Sequence, residues 1–197
     1  SVRWESEDAS GANENSTGTG PFADKSFAPA PGGTYMYLET SSSGGPAELI
    51  SPLIDISSLN NPELKFHYHM YGATINKLLV FAEDAAGTRT LLDSIGGQQQ
   101  TSGADTFRIR NVSLLGLTGS TYNFVFEGHR GTSFTGDISI DDVSVDEGVS
   151  CPSPSNLSQT SASLNSATVT WSAGGGTSWI IEYGPTGFSR GSGTTAT

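Results

Sequence analysis

Between residues 34 and 146 apolar and polar positions alternate with period two, in short runs separated by turn residues. The clearest run is Glu63 to Tyr71 (ELKFHYHMY), which sets Phe66, Tyr68 and Met70 on one face and Lys65, His67, His69 and Tyr71 on the other. Similar runs span 34–39, 47–51 (stopped by Pro52), 77–83, 88–95, 105–112, 121–126 and 136–145, and the Asp84-Ala85-Ala86-Gly87 break reads as a hairpin turn. Helical periodicity is not found over any stretch of about 11 residues. About eight evenly spaced strands predict an all-β antiparallel sandwich. Phe124 and Phe126 are expected to share its core with Ile138 and Ile140.

The flanks read differently. Residues 1–33 are rich in Gly, Pro, Asn and Ser and carry no alternation, which predicts a long surface excursion held down by Trp4, Phe22 and Phe27. Residues 147–154 (EGVSCPSP) read as a linker. Three further strand runs follow, at 156–159, 167–172 and 178–184. The expected organisation is a sandwich over 1–146, the linker, and a partial immunoglobulin-like sandwich over 155–197. The stretch after the linker is roughly half of a ~100-residue immunoglobulin-class domain, so the natural chain is expected to continue.

Composition narrows the function. Only 15% of the 197 residues are charged, and 9 Lys+Arg stand against 20 Asp+Glu, a net charge of −11. That field repels phosphate backbones, so nucleic acid is not an expected partner. No apolar run approaches the ~20 residues of a membrane span. Cys151 is the single cysteine and has no partner for an internal disulfide.

Candidate chemistry is sparse. Ile138 and Ile140 are out of phase with Val143 and Val145, which predicts a β-bulge at Asp141-Asp142. Adjacent carboxylates near backbone carbonyls suit Ca²⁺, with Asp24 or Glu39 as further ligands. The competing reading is that Asp141 and Asp142 hydrogen-bond the N-terminal loop without a metal. His67 and His69 have the i, i+2 spacing of some zinc sites, with His129 the only other histidine; the competing reading is polar residues on a half-buried strand face. Trp4, His67, His69, Tyr71 and Arg130 are candidates for contacting a sugar or protein ligand, against plain packing. No nucleophile elbow, zincin motif or carboxylate pair facing a cleft is present, so no catalytic residue is expected.

Several blocks together resemble the MAM domain, the extracellular module of meprin, A5 and receptor phosphatase mu. They are Thr19-Gly20-Pro21 with Asp24, then Gly33 to Ser41 (GTYMYLETS), Leu49-Ile50-Ser51-Pro52, and Leu64 to Gly72 (LKFHYHMYG). Phe124 to Gly128 (FVFEG) and Gly136 to Val143 (GDISIDDV) follow in the family's order. The resemblance covers roughly residues 17–145 and implies a jelly-roll β-sandwich with a structural cation near Asp141. Two departures stand out: the family's opening strand carrying Phe-Glu is missing, and its usual cysteine is Glu63 here, as in bacterial members without the disulfide framework. Cys151-Pro152-Ser153-Pro154, Trp171 and Ile181 to Pro185 resemble the start of a fibronectin type III domain.

These readings imply a non-catalytic recognition or adhesion module of a large exported bacterial protein, extracellular or at the cell surface. Expected partners are a surface protein or glycan and the rest of its own chain. The alternatives are a carbohydrate-binding module of a secreted polysaccharide-degrading enzyme and an accessory domain of a secreted protease.

Overall fold

The computed structural model describes residues 2–8, 18–26, 33–148, 155–163, 165–172, 178–189 and 191–196. Among the described residues there are strands and turns and no helix. The chain divides into two compact units, Ser1–Gly148 and Val149–Thr197.

Among the described residues the first unit has ten strands: β1 (Arg3–Asp8), β2 (Thr34–Glu39), β3 (Ala47–Ile50), β4 (Ile54–Asp55), β5 (Pro62–His69), β6 (Lys77–Glu83), β7 (Arg89–Gly96), β8 (Arg108–Ser113), β9 (Thr121–His129) and β10 (Ile138–Glu147). One sheet has the order β1-β2-β10-β5-β8. The other has the order β3-β9-β6-β7, with β4 paired to the start of β9. Every pairing is antiparallel.

The period-two pattern decides what lies between the sheets. Leu64, Phe66 and Tyr68 of β5, Leu78, Val80 and Ala82 of β6, Phe124 and Phe126 of β9, and Ile138 and Ile140 of β10 are buried in one cluster. Phe66 meets Phe126 across the sheets edge-to-face, with ring centroids 5.1 Å apart. Burying a Phe contributes roughly 1.5–3 kcal/mol, so this row is a principal tie between the layers.

The N-terminus differs from the expected surface excursion. Residues 3–8 form an edge strand in continuous register with β2, from Arg3 opposite Glu39 to Asp8 opposite Thr34. Trp4 is the only apolar residue within β1, so the sequence shows no alternation there. Pairing with β2 satisfies the backbone groups regardless of side-chain pattern. β1 and β10 both run antiparallel to β2 and hence parallel to each other.

The bulge is where the phase slip places it. β10 pairs with β2 over Ile138–Ile140 and with β5 over Ser139–Asp141, then resumes with β5 at Ser144. Asp142 adopts a left-handed φ of 47°. Among the described residues, nothing pairs with β10 on its β2 side beyond the bulge.

In the second unit, β11 (Ser155–Ala162) pairs with β12 (Ala167–Ser172), and β13 (Ile181–Tyr183) with β14 (Thr194–Ala196). Trp171 and Trp179 meet edge-to-face at 5.7 Å. No described residue of this unit is buried. Cys151, Phe27 and most of the expected linker lie outside the described residues.

Candidate functional site

Three features of the first sandwich carry polar or exposed chemistry. The first is a buried knot where β10 begins. Asp137 is 1% exposed, and its Oδ1 accepts from the Thr40 backbone N–H at 3.1 Å and the Thr40 hydroxyl at 2.7 Å. Its own N–H donates to Thr19 Oγ1 at 3.0 Å, and that hydroxyl donates to the Tyr71 carbonyl at 3.0 Å. Burial pushes the Asp137 carboxyl up to about 6 against the lowering effect of the Thr40 bonds. Arg130 serves the same knot, its Nε donating to the Thr40 carbonyl at 2.8 Å. Tyr71 and Arg130 thus meet here, the first by its carbonyl and the second by its guanidinium.

At the other end of the same stretch lies the bulge. The Lys25 backbone N–H donates to Asp141 Oδ2 at 3.1 Å, and the Asp142 N–H donates to Asp141 Oδ1 at 2.7 Å. The Lys25 ammonium pairs with Asp142 and holds its carboxyl below the usual range. Asp24 is 4% exposed and accepts from Ser26 Oγ at 2.8 Å and the Gly33 N–H at 2.7 Å. Glu39 accepts from the Ser41 N–H at 2.6 Å. Among the described residues no three His, Cys, Asp or Glu side chains gather as a metal would require. As placed, the four candidate carboxylates are engaged by protein donors and do not form one calcium shell. Lys25 is the residue sequence reasoning missed; nothing in its local pattern ties it to a strand 116 residues away.

Between these ends, the outer face of the first sheet is covered. Tyr35, Tyr37 and Phe107 form a second buried cluster, and the His69 ring lies 5.4 Å from that of Phe107. His69 is fully buried, contrary to its expected place on a ligand-contacting face. Neither ring nitrogen has a partner in hydrogen-bonding geometry, and the carbonyls of Ser102 and Asp105 are near it. Burial holds its pKa down at about 4. His67 is half-buried opposite Asp141, its pKa lowered by burial and then by Lys25. Trp4 packs against the core, and its Nε1 donates to the Ala47 carbonyl at 3.0 Å. The five candidate ligand contacts are therefore spread over the edge, the outer face and the knot.

The third feature is a cleft of about 320 Å³. It opens between edge strand β3 and the part of β10 beyond the bulge. Leu49, Ile50, Phe124, Phe126, Val143 and Val145 line it. Ile50 is 51% and Val143 44% exposed. Trp4 of β1 closes this side of the sandwich higher up, at Ala47, whereas below the bulge no described strand does so.

Fold and features together define an antiparallel two-sheet β-sandwich whose distinctive chemistry lies at its last strand. The family model of the MAM domain, meprin/A5/mu, matches residues 1–152, and the chain belongs to that family. It is 36% identical over 140 residues to the mouse (Mus musculus) MAM domain-containing glycosylphosphatidylinositol anchor protein 2, covering 66% of this chain and 14% of that protein. It is 40% identical over 109 residues to MAM and fibronectin type III domain-containing protein 1 of Acropora millepora, covering 55% of this chain and 22% of that protein. The chain thus spans a small fraction of the relatives it matches. Among solved structures, the K1 cleaved adhesin domain of Lys-gingipain from Porphyromonas gingivalis W83 aligns at 20% identity over 74% of this chain and 91% of that one, with a TM-score of 0.45.

Proposed function

We propose that the first unit is a non-catalytic recognition module, extracellular or at the cell surface, within a larger exported bacterial protein. The single observation behind this reading is the MAM match across residues 1–152. Two relatives carry a glycosylphosphatidylinositol anchor or fibronectin type III domains in their names, which supports a surface setting and a fibronectin-like second unit. The acidic surface, net charge −11, suits a partner with basic or neutral contact groups.

The test is binding without turnover. The 197-residue chain, immobilised, is presented with intact bacterial and host cell surfaces and with an array of neutral and charged glycans. Saturable binding, with no change in the bound molecule's covalent structure, is the expected result. Hydrolysis or transfer by the chain itself would refute the reading.

A further inference from the structure

We propose that residues 18–26 form a strap closed over a sugar-binding row on the outer face of the first sheet, and that a neutral pyranose displaces the strap to reach it. The inference rests on the recognition reading and names the class of ligand.

The row is built by the sheet register. Ser139 of β10 stands directly between Tyr37 of β2 and His69 of β5. Phe107 lies beyond His69, and His67 is two residues back along the same face of β5. Tyr37, Ser139 and His69 are each at most 1% exposed. Among the described residues, the buried side-chain atoms without a hydrogen-bond partner are His67 Nδ1, both ring nitrogens of His69 and Ser139 Oγ. All of them belong to this one face. Such atoms are costly to bury dry, and native structures keep them few. Gathered beside the rings of Tyr35, Tyr37 and Phe107, they offer what a pyranose recognises: hydrogen-bonding groups for its hydroxyls and aromatic surface for its C–H faces.

The chemistry selects a neutral sugar. Burial keeps the His69 and His67 rings uncharged at neutral pH, so the row gives an anion no counter-charge. The net charge of −11 repels one as well. Asp141, opposite His67, already accepts from two N–H groups, so a cation finds no unengaged carboxylate there.

The strap follows the same stretch of β10. Thr19 Oγ1 accepts from the Asp137 N–H at 3.0 Å, and the Lys25 N–H donates to Asp141 Oδ2 at 3.1 Å. Ser139 lies midway between these two anchor points. The Gly20 N–H donates to the Tyr71 carbonyl and the Phe22 N–H to the Gly103 carbonyl, both at 2.9 Å. No residue of 19–26 belongs to either buried apolar cluster, and Phe22 is 64% exposed. A segment held by a few polar contacts opens at a low free energy, whereas the sheet beneath it does not. A ligand that binds only the open form then shifts the strap toward it.

The experiment uses the full chain and the methyl α- and β-pyranosides of glucose, mannose and galactose, with a methyl glucuronide as the charged control. At least one neutral sugar should bind saturably by amide NMR, and the glucuronide at least tenfold more weakly. Lys25→Ala frees one end of the strap and should bind at least threefold tighter. Ser139→Ala removes an unpartnered hydroxyl; it should keep the melting temperature and weaken binding at least fivefold. In the unaltered chain, saturating sugar should speed hydrogen exchange of the Gly20, Phe22 and Lys25 amides, whose acceptors are left behind. Should Ser139→Ala melt lower, that exchange decides. No binding by the unaltered chain or by Lys25→Ala at tens of millimolar sugar would overturn the proposal. So would binding indifferent to Ser139→Ala in a variant of unchanged melting temperature, binding that leaves those three amides as they were, or a glucuronide bound as well as the neutral sugars. A chain that fails here yet binds cell surfaces loses this inference and keeps the recognition reading.

Discussion

The Lys25 backbone N–H donates to Asp141 Oδ2 at 3.1 Å while the same residue's ammonium pairs with Asp142. One lysine thereby supplies both a donor and a positive charge to the two adjacent carboxylates of the bulge. Calcium is consequently not expected to be needed there. Thermal melts in millimolar calcium and in chelator should coincide for the unaltered chain. Lys25→Ala should melt lower, and adding Asp142→Ala should lower it little further, because the carboxylate left unpaired has gone. A calcium-dependent rise in the unaltered chain would show that these carboxylates rearrange around the metal.

The buried titratable groups His69 and Asp137 pull stability in opposite directions over one pH window. His69 has a folded pKa of about 4, below the ordinary histidine value of 6.5, because it is buried. Its contribution is full above the unfolded value and is lost as pH falls toward 4. Asp137 has a folded pKa of about 6, above the ordinary aspartate value of 3.8, because it is buried. Its contribution is full below the unfolded value and is lost as pH rises through 6. Each shift corresponds to about 3 kcal/mol, so the pair nearly cancel. Urea midpoints should show His69→Gln gaining stability from pH 6.5 down to 4 relative to the parent, and Asp137→Asn losing it.

Gly72 has no room for a side chain. It has a φ of 153°, and a Cβ there would lie 2.4 Å from the Thr135 carbonyl oxygen and 2.8 Å from Thr19 Oγ1. Gly72→Ala should cost roughly 1–3 kcal/mol. The damage should centre on the Thr19–Asp137 knot, visible as faster exchange of the Asp137 amide.

Phe126 belongs to the core and to the floor of the cleft. Phe126→Ala should cost ~3–5 kcal/mol by denaturant titration. Phe126→Leu should be far milder, because most of the volume is kept.

Alternation made most strands readable. The phase change between Ile140 and Val145 even located the bulge, because an odd spacing between two residues packed on one core requires an extra residue in the strand. The same signal failed where burial comes from something besides the opposite sheet. Tyr35 and Tyr37 alternate as cleanly as Phe66 and Tyr68, yet they are buried on the outer face with Phe107. His69 followed them, since a polar residue on an outward position reads as exposed until the covering segment is known. β1 was hidden because an edge strand held by backbone bonds needs no apolar stripe. The cleft depends on where β2 stops pairing with β10, which a local pattern does not record.

The strand directions bear on how the module carries tension. β1 and β10 run the same way with β2 between them, so chain entering at Val2 and leaving at Gly148 does so from opposite ends of the first sheet. A pull between those points slides β1 and β10 past one another along their length. The six registered β1–β2 pairs and three β2–β10 pairs then resist in parallel rather than opening one by one. Interstrand bonds lie across that direction, and forced unfolding is governed by the barrier rather than by equilibrium stability. Pulled between those two points, this sandwich should yield at a higher force than one peeled from a single end.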